Sequence, residues 1–91
     1  MITVDTIIQK RDNAVTAELD GLAVMMSIEK GNYYAFDEIS TIIWDAIDKP
    51  VTFQDLVLNL LRKFDVSKEE CEKDVSEFLN GLLEKGLIEL Q

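Results

Sequence analysis

The sequence contains no histidine, one cysteine (Cys71) and one proline among its 91 residues. Without histidine the chain has no imidazole that could serve as a general base or metal ligand, which excludes Ser-His and Cys-His mechanisms. A single cysteine cannot form an internal disulfide and no signal-peptide pattern opens the chain, so we expect a cytoplasmic protein. No apolar run approaches the about 20 residues of a membrane-spanning helix, and we expect no membrane partner.

Basic side chains are also scarce, with 9 Lys and Arg against 18 Asp and Glu and a net charge of −9. The acidic residues lack the loop spacing of a calcium site. Glu69, Glu70 and Glu72 fall in the first turns of the predicted third helix, where the helix dipole favours negative charge. We therefore expect no metal, no cofactor and no catalytic residue, and a hydrolase that relies on carboxylates alone is a weak alternative. The length predicts one domain over residues 1–91.

The first part of the chain, to about residue 36, has the patterns of β-strands. Residues 15–19 alternate between apolar and polar, Asp20-Gly21 is typical of a two-residue type I′ turn, and residues 22–28 continue the apolar run. A second turn at residues 29–32 precedes a short aromatic strand at residues 33–36. These patterns predict a three-stranded antiparallel sheet. Residues 2–8 are apolar in patches, and we expect them to extend or precede its first strand.

From Asp37 onward the apolar period changes to that of helices, and three helix starts are marked by capping residues. Asp37, Thr52 and Ser67 are the predicted N-caps, and apolar side chains recur at helical spacing after each of them. Gly86 is expected to end the third helix, and residues 87–90 alternate like a last strand. The predicted fold is therefore α+β and winged helix-turn-helix-like, with a three-stranded N-terminal antiparallel sheet plus three helices.

A winged helix suggests DNA binding, but the charge of the third helix argues against it. Between Ser67 and Lys85 the chain has three lysines and six acidic residues, which gives 3 − 6 = −3. A recognition helix must neutralise phosphates with Lys or Arg, and this one would repel a duplex. We expect no nucleic-acid partner.

The short aromatic strand is the best candidate for an interaction surface. Tyr33 and Tyr34 must point to opposite faces because side chains alternate along a strand. If the strand lies at a sheet edge, its unpaired backbone groups can accept an added strand, and the neighbouring tyrosine supplies contact area. The sequence does not decide which tyrosine faces such a groove, because a register shift of one residue exchanges the faces.

Several segments together resemble a known family over nearly the whole chain. They are Gly31-Asn32-Tyr33-Tyr34-Ala35-Phe36-Asp37-Glu38, Trp44 within residues 42–47, Pro50-Val51-Thr52, residues 74–79, and Leu83-Glu84-Lys85-Gly86-Leu87-Ile88. The chain is similar to the PqqD-like family of peptide-recognition domains, which serve pathways that modify ribosomally made peptides. The resemblance implies a binding module, not a catalyst, to which the leader of a precursor peptide adds as a strand.

The resemblance also implies where the peptide binds. The strand that receives it would consist of Asn32, Tyr33, Tyr34, Ala35 and Phe36, and the facing wall of the third helix would contain Asp74, Val75, Glu77, Phe78 and Leu82. An apolar leader side chain would pack on Tyr34, Phe78 and Leu82, and Asp74 or Glu77 would contact a basic residue of the leader.

Short members of this family look most like the free-standing recognition subunit of lasso-peptide systems. That likeness implies a precursor peptide, a leader-peptidase subunit and possibly a cyclase as partners. Two alternatives stay open at this point. One is a peptide chaperone of the pyrroloquinoline quinone (PQQ) type, which works with a radical SAM enzyme, and the other is a winged-helix regulator that binds protein.

Overall fold

The computed structural model describes residues 2–12, 14–28 and 31–91. Its elements follow one another as β1 (Ile7–Lys10), β2 (Ala14–Leu19), β3 (Leu22–Ser27), β4 (Tyr33–Ala35), α1 (Glu38–Ala46), β5 (Val51–Thr52), α2 (Phe53–Leu61), α3 (Lys68–Glu84) and β6 (Ile88–Leu90). The α+β class, the N-terminal antiparallel sheet and the three helices are confirmed. A second small sheet was not predicted.

The predicted N-terminal sheet has the strand order β2-β3-β4, and both pairings are antiparallel. Asp20 (φ 55°) and Gly21 (φ 83°) both occupy the left-handed region between β2 and β3. Positive φ at both central residues defines the type I′ turn that the Asp-Gly pair indicated. In the second predicted turn, Glu29 and Lys30 lie outside the described residues, and Gly31 has a φ of 68°.

The second sheet joins parts of the chain that lie far apart in the sequence. Its order is β5-β1-β6, with Ile7 opposite Thr52 and Ile8 opposite Leu90. The apolar N-terminal segment therefore does not extend the first predicted strand; it forms the centre of a different sheet. The sequence did not indicate β5, because a strand of two residues is too short to show a period. The predicted last strand is confirmed as β6.

The three predicted helix N-caps are confirmed by their hydrogen bonds. The side chains of Asp37, Thr52 and Ser67 each accept a bond from the backbone N–H three residues later, at 2.7, 3.2 and 3.1 Å. Such bonds satisfy amides that have no partner inside the helix. Gly86 follows α3 with a φ of 73°, as expected of a residue that ends a helix.

The β2-β3-β4 sheet has one face against the helices and one face toward solvent. Ala23, Met25 and Ser27 on the first face are buried, and the Thr41 hydroxyl of α1 accepts a hydrogen bond from the Ala23 amide at 3.0 Å. The opposite face, here called the outer face, consists of Val15, Ala17, Leu19, Leu22, Val24, Met26, Tyr33 and Ala35.

Among the described residues, no helix is long and apolar enough to span a bilayer.

Candidate functional site

Strand β4 has an open edge. It pairs with β3 on one side, and no other described strand pairs with it. The Asn32 carbonyl accepts a bond from β3 and the Phe36 amide donates one to β3, both at 2.9 Å. Because bonding directions alternate along an antiparallel strand, the N–H and C=O groups of Tyr33 and Ala35 point away from β3. These groups are available to a further strand.

The two tyrosines of β4 lie on opposite faces of the sheet. Tyr34 is opposite Met25, which is fully buried, and it packs against the core. Tyr33 is opposite Met26 on the outer face and is 73% exposed. The register therefore decides what the sequence left open: Tyr34 points toward the helices.

Helix α3 lies beside β4, and the surface between the two elements is here called the groove. The Phe78 ring meets the Phe36 ring edge-on with 5.4 Å between centroids, and Phe36 meets Trp44 in the same way at 5.8 Å. At the C-terminal end of α3, Lys85 Nζ lies 5.5 Å from the centroid of the Tyr34 ring. Aromatic side chains thus join the end of the sheet to the C-terminal half of α3.

The predicted residues of α3 differ in how they meet this groove. Phe78 is half-buried and Asp74 and Glu77 are exposed, so all three offer surface to a ligand. Val75 and Leu82 are each only 2% exposed. Leu82 belongs to the core beneath the groove, which limits what it can contribute to direct contact. Val75 lines a small cleft between α3 and the other two helices.

Two groove residues escaped the sequence-based prediction. Lys85 and Gly81 follow Phe78 by seven and three residues, a spacing that keeps them on its side of the helix. Gly81 has no side chain to fill the space between Phe78 and Lys85. Their helical spacing from Phe78 is the sequence signal that could have identified both residues.

The cleft near the N-terminal half of α3 is apolar and has a volume of about 110 Å³. A space of this size accepts one side chain, since sites for whole small molecules span about 300–1,000 Å³. Its lining residues are Ile39, Ile43, Leu60, Phe64, Val66, Cys71, Asp74 and Val75. Burial raises the pKa of the Cys71 thiol, and the carboxylates of Asp74 and Glu72 raise it further. A raised pKa lowers the fraction of reactive thiolate, and Cys71 is buried in the core.

A larger cleft of about 540 Å³ lies elsewhere, between the end of β1 and the end of α1. Lys10 lines this cleft, and its Nζ lies 3.3 Å from Asp48 Oδ1 and 4.3 Å from the centroid of the Trp44 ring. Lys10 and Asp48 thus already form an ion pair in this cleft. The cleft borders the outer edge of β2 at Thr16 and includes Trp44, but most of its lining side chains are polar or charged. It is therefore a weaker candidate for apolar peptide side chains despite its volume.

The open edge, the aromatic groove and the apolar cleft are the features of a domain that binds an extended peptide. Residues 23–88 match the family described as Coenzyme PQQ synthesis protein D (PqqD), and the chain belongs to this family. No curated protein is significantly similar in sequence to the whole chain.

Two solved structures share the fold. The chain is similar to TbiB1 in complex with the TbiA(beta) leader peptide, with a TM-score of 0.83, 25% identity, and 89% of this chain and 94% of that chain covered. It is also similar to lasso peptide synthetase B1 complexed with the leader peptide, with a TM-score of 0.78, 19% identity, and 90% and 96% covered.

Proposed function

We propose that this protein binds the leader region of a ribosomally synthesised precursor peptide and presents it to separate maturation enzymes. The open edge of β4 beside the groove of α3 is the observation that carries the proposal. Membership of the PqqD family and the likeness to two leader-peptide complexes support it. In this role the protein is a binding module, and the chemistry belongs to its partners.

The leader adds as a strand to β4. Its backbone pairs with the outward N–H and C=O groups of Tyr33 and Ala35, which gives affinity that depends little on the leader's sequence. Specificity comes from side chains that point into the groove, because alternate residues of the added strand face α3. An apolar leader side chain packs on Tyr34 and Phe78, and a second one enters the apolar cleft.

The two ends of the groove carry opposite charges. Asp74 lies at the end that holds the apolar cleft, and Lys85 lies beside Tyr34 near the other end. Asp74 and Glu77 attract a basic residue of the leader. The surplus of acidic side chains in α3 favours such a contact. Rim charges of this kind act mainly on the rate of association and on orientation.

The partners that receive the leader are a leader-peptidase subunit and a cyclase, as in a lasso-peptide pathway. The likeness to lasso peptide synthetase B1 favours this assignment. The description of the family favours a second candidate, in which the chain delivers a peptide to a radical SAM enzyme. Leader peptides from the two kinds of pathway distinguish these candidates by their affinity for the protein.

An NMR titration of the labelled protein with the leader half of its precursor peptide tests the proposal. We expect amide shifts concentrated in residues 32–36 and 74–85, with none caused by a random DNA duplex. A leader peptide with scrambled sequence controls for charge alone. Absence of shifts with the leader, or shifts along α3 with the duplex, would overturn the peptide-binding function and favour a regulator.

A further inference from the structure

At the C-terminal end of α3, the groove contains a lysine that forms no ion pair within the described part of the chain. Lys85 is half-buried, and no described carboxylate lies within ion-pair distance of its ammonium group, although the chain has 18 acidic side chains. Removing a charge from water is costly unless an opposite charge compensates it. Lys85 can therefore gain from the arrival of an anion.

The helix end alone does not explain where this lysine points. The helix dipole favours a cation near the last carbonyl groups, but that interaction does not require contact with Tyr34. The Lys85 side chain lies back along α3, because a Cβ at Gly81 would be 3.8 Å from its Nζ and the centroid of the Tyr34 ring is 5.5 Å away. The ammonium group therefore lies beside β4, the strand with the open edge.

Two neutral hydrogen-bond donors accompany Lys85. Asn32 Nδ2 donates a hydrogen bond to the Tyr34 hydroxyl at 3.5 Å. The hydroxyl that accepts this bond still has its own hydrogen to donate. Asn32, Tyr34 and Lys85, here called the donor cluster, thus present an amide N–H, a phenol O–H and an ammonium group. A carboxylate complements them, because it accepts hydrogen bonds and carries the opposite charge.

An added strand would bring a side chain to the donor cluster. If the leader pairs with Tyr33 and Ala35, its residue opposite Tyr34 points to the same face of the sheet as Tyr34, because opposite residues of paired strands share a face. That face is the one on which α3 lies. Asp74 and Glu77 stand nearer the N-terminus of α3 and would repel a carboxylate there.

We infer that the donor cluster binds the side-chain carboxylate of an aspartate or glutamate at the leader position opposite Tyr34. The inference rests on the proposed function and adds a sequence requirement to it: a leader needs this acidic residue for full affinity. The contribution is modest, since an ion pair that stays partly exposed is worth little. We expect replacement of the acidic residue by its amide to weaken binding about two- to fivefold.

Paired substitutions in the protein and the leader test the inference. Each Asp and Glu of the leader is changed in turn to Asn or Gln, in peptides with an amidated C-terminus, and fluorescence anisotropy measures their affinity for the wild-type protein and for Lys85→Gln. With one of these peptides, the loss caused by Lys85→Gln should be at least twofold smaller than with the native leader. A lysine that only positions the Tyr34 ring would cause the same loss with every peptide.

Charge reversal gives a second readout. Lys85→Glu should weaken binding of the native leader about tenfold, because a second carboxylate then faces the first. A leader with Lys at the identified position should recover most of this loss. Lys73→Glu makes the same change in net charge at an exposed position of α3, and its effect on the lysine-containing leader measures the contribution of net charge alone.

The outcomes separate the inference from the proposed function. Equal losses for Lys85→Gln with every peptide, in a variant that circular dichroism shows to be folded, would overturn the inference and leave leader binding standing. A native leader that binds without any Asp or Glu would also overturn it. A wild-type protein that does not bind the leader would contradict the proposed function itself.

Discussion

The two edges of the β2-β3-β4 sheet offer similar backbone groups in different surroundings. No described strand pairs with the outer side of either β2 or β4. Strand β4 contributes Tyr34 and lies near Phe78. The clefts beside β2 are lined by many polar and charged side chains, which include Thr16, Glu18 and Asp45, and Trp44 is their one aromatic residue. An open edge is therefore only half of a peptide site, because neighbouring side chains decide whether an added strand finds apolar contacts.

The difference between the edges follows from the helices. Helix α3 brings aromatic and small residues to β4, while α1 brings Thr41 and Asp45 to the side of β2. Glu18 also places a charge on the β2 edge, a feature by which proteins discourage unwanted strand pairing. We thus expect β4 to accept peptides and β2 to remain unpaired.

The largest expected effect comes from proline at the β4 edge. Ala35→Pro removes an outward N–H and leaves the facing leader carbonyl without a donor, which costs up to about 3 kcal/mol, or roughly 100-fold in affinity. The bonds to β3 come from neighbouring residues, so the fold should persist. Isothermal titration calorimetry with the leader checks this.

The matched control is proline at the opposite edge. In the β2-β3 hairpin, Thr16 points its backbone groups away from β3, as Ala35 does on β4. Thr16→Pro should leave leader affinity unchanged. Equal losses in both variants would mean that the edges do not differ, and the comparison would fail.

The next effect in size is the loss of the aromatic groove. Tyr34→Ala should weaken leader binding by about 2 kcal/mol or more, roughly 30-fold, as expected of a buried aromatic anchor. Tyr33→Ala removes the same side chain from the outer face and should change leader affinity less than about twofold. Fluorescence anisotropy measures both. A larger loss in Tyr33→Ala than in Tyr34→Ala would mean that the leader binds at the outer face.

A smaller effect is expected at Lys85. The cation–π contact of its ammonium group with the Tyr34 ring stabilises that orientation of the ring by about 0.5–1 kcal/mol. Lys85→Gln removes the contact and should weaken leader binding about two- to fivefold. Lys73→Gln makes the same change at an exposed position of α3 and serves as the control. Similar losses in the two variants would point to net charge alone.

The smallest effect concerns Asp37, the N-cap of α1. Bonds from the backbone and side chain of Ser40 lower the pKa of Asp37, so its contribution to stability is present above its unfolded pKa of about 3.9 and is lost as the pH falls through the lower folded value. Asp37→Asn keeps a capping side chain and lacks this titration. The difference in stability between the two proteins should shrink between about pH 5 and pH 2 in urea denaturation. A constant difference would argue against the cap.

Much of the fold was predictable from short segments. The Asp20-Gly21 turn, the caps at Asp37, Thr52 and Ser67, and the end of α3 at Gly86 all depend on backbone conformations and hydrogen bonds within a few residues. Such features follow from the residue types themselves. The resemblance to the PqqD family then predicted that β4 and α3 form the two sides of a peptide groove.

The second sheet could not be predicted in the same way. Strands β1, β5 and β6 are short and meet only when residues near 7, 52 and 90 come together, so no local period marks them. The contact of Lys85 with Tyr34 has the same origin, because it joins parts of the chain about 50 residues apart.

The sequence by itself determined the class of the fold, the helix ends and the aromatic strand, because propensity, capping and periodicity act over a few residues. Only the tertiary structure decided that Tyr34 faces α3 and Tyr33 faces solvent. A strand of three residues has two equivalent registers on its own, and burial of Met25 opposite Tyr34 selects one of them.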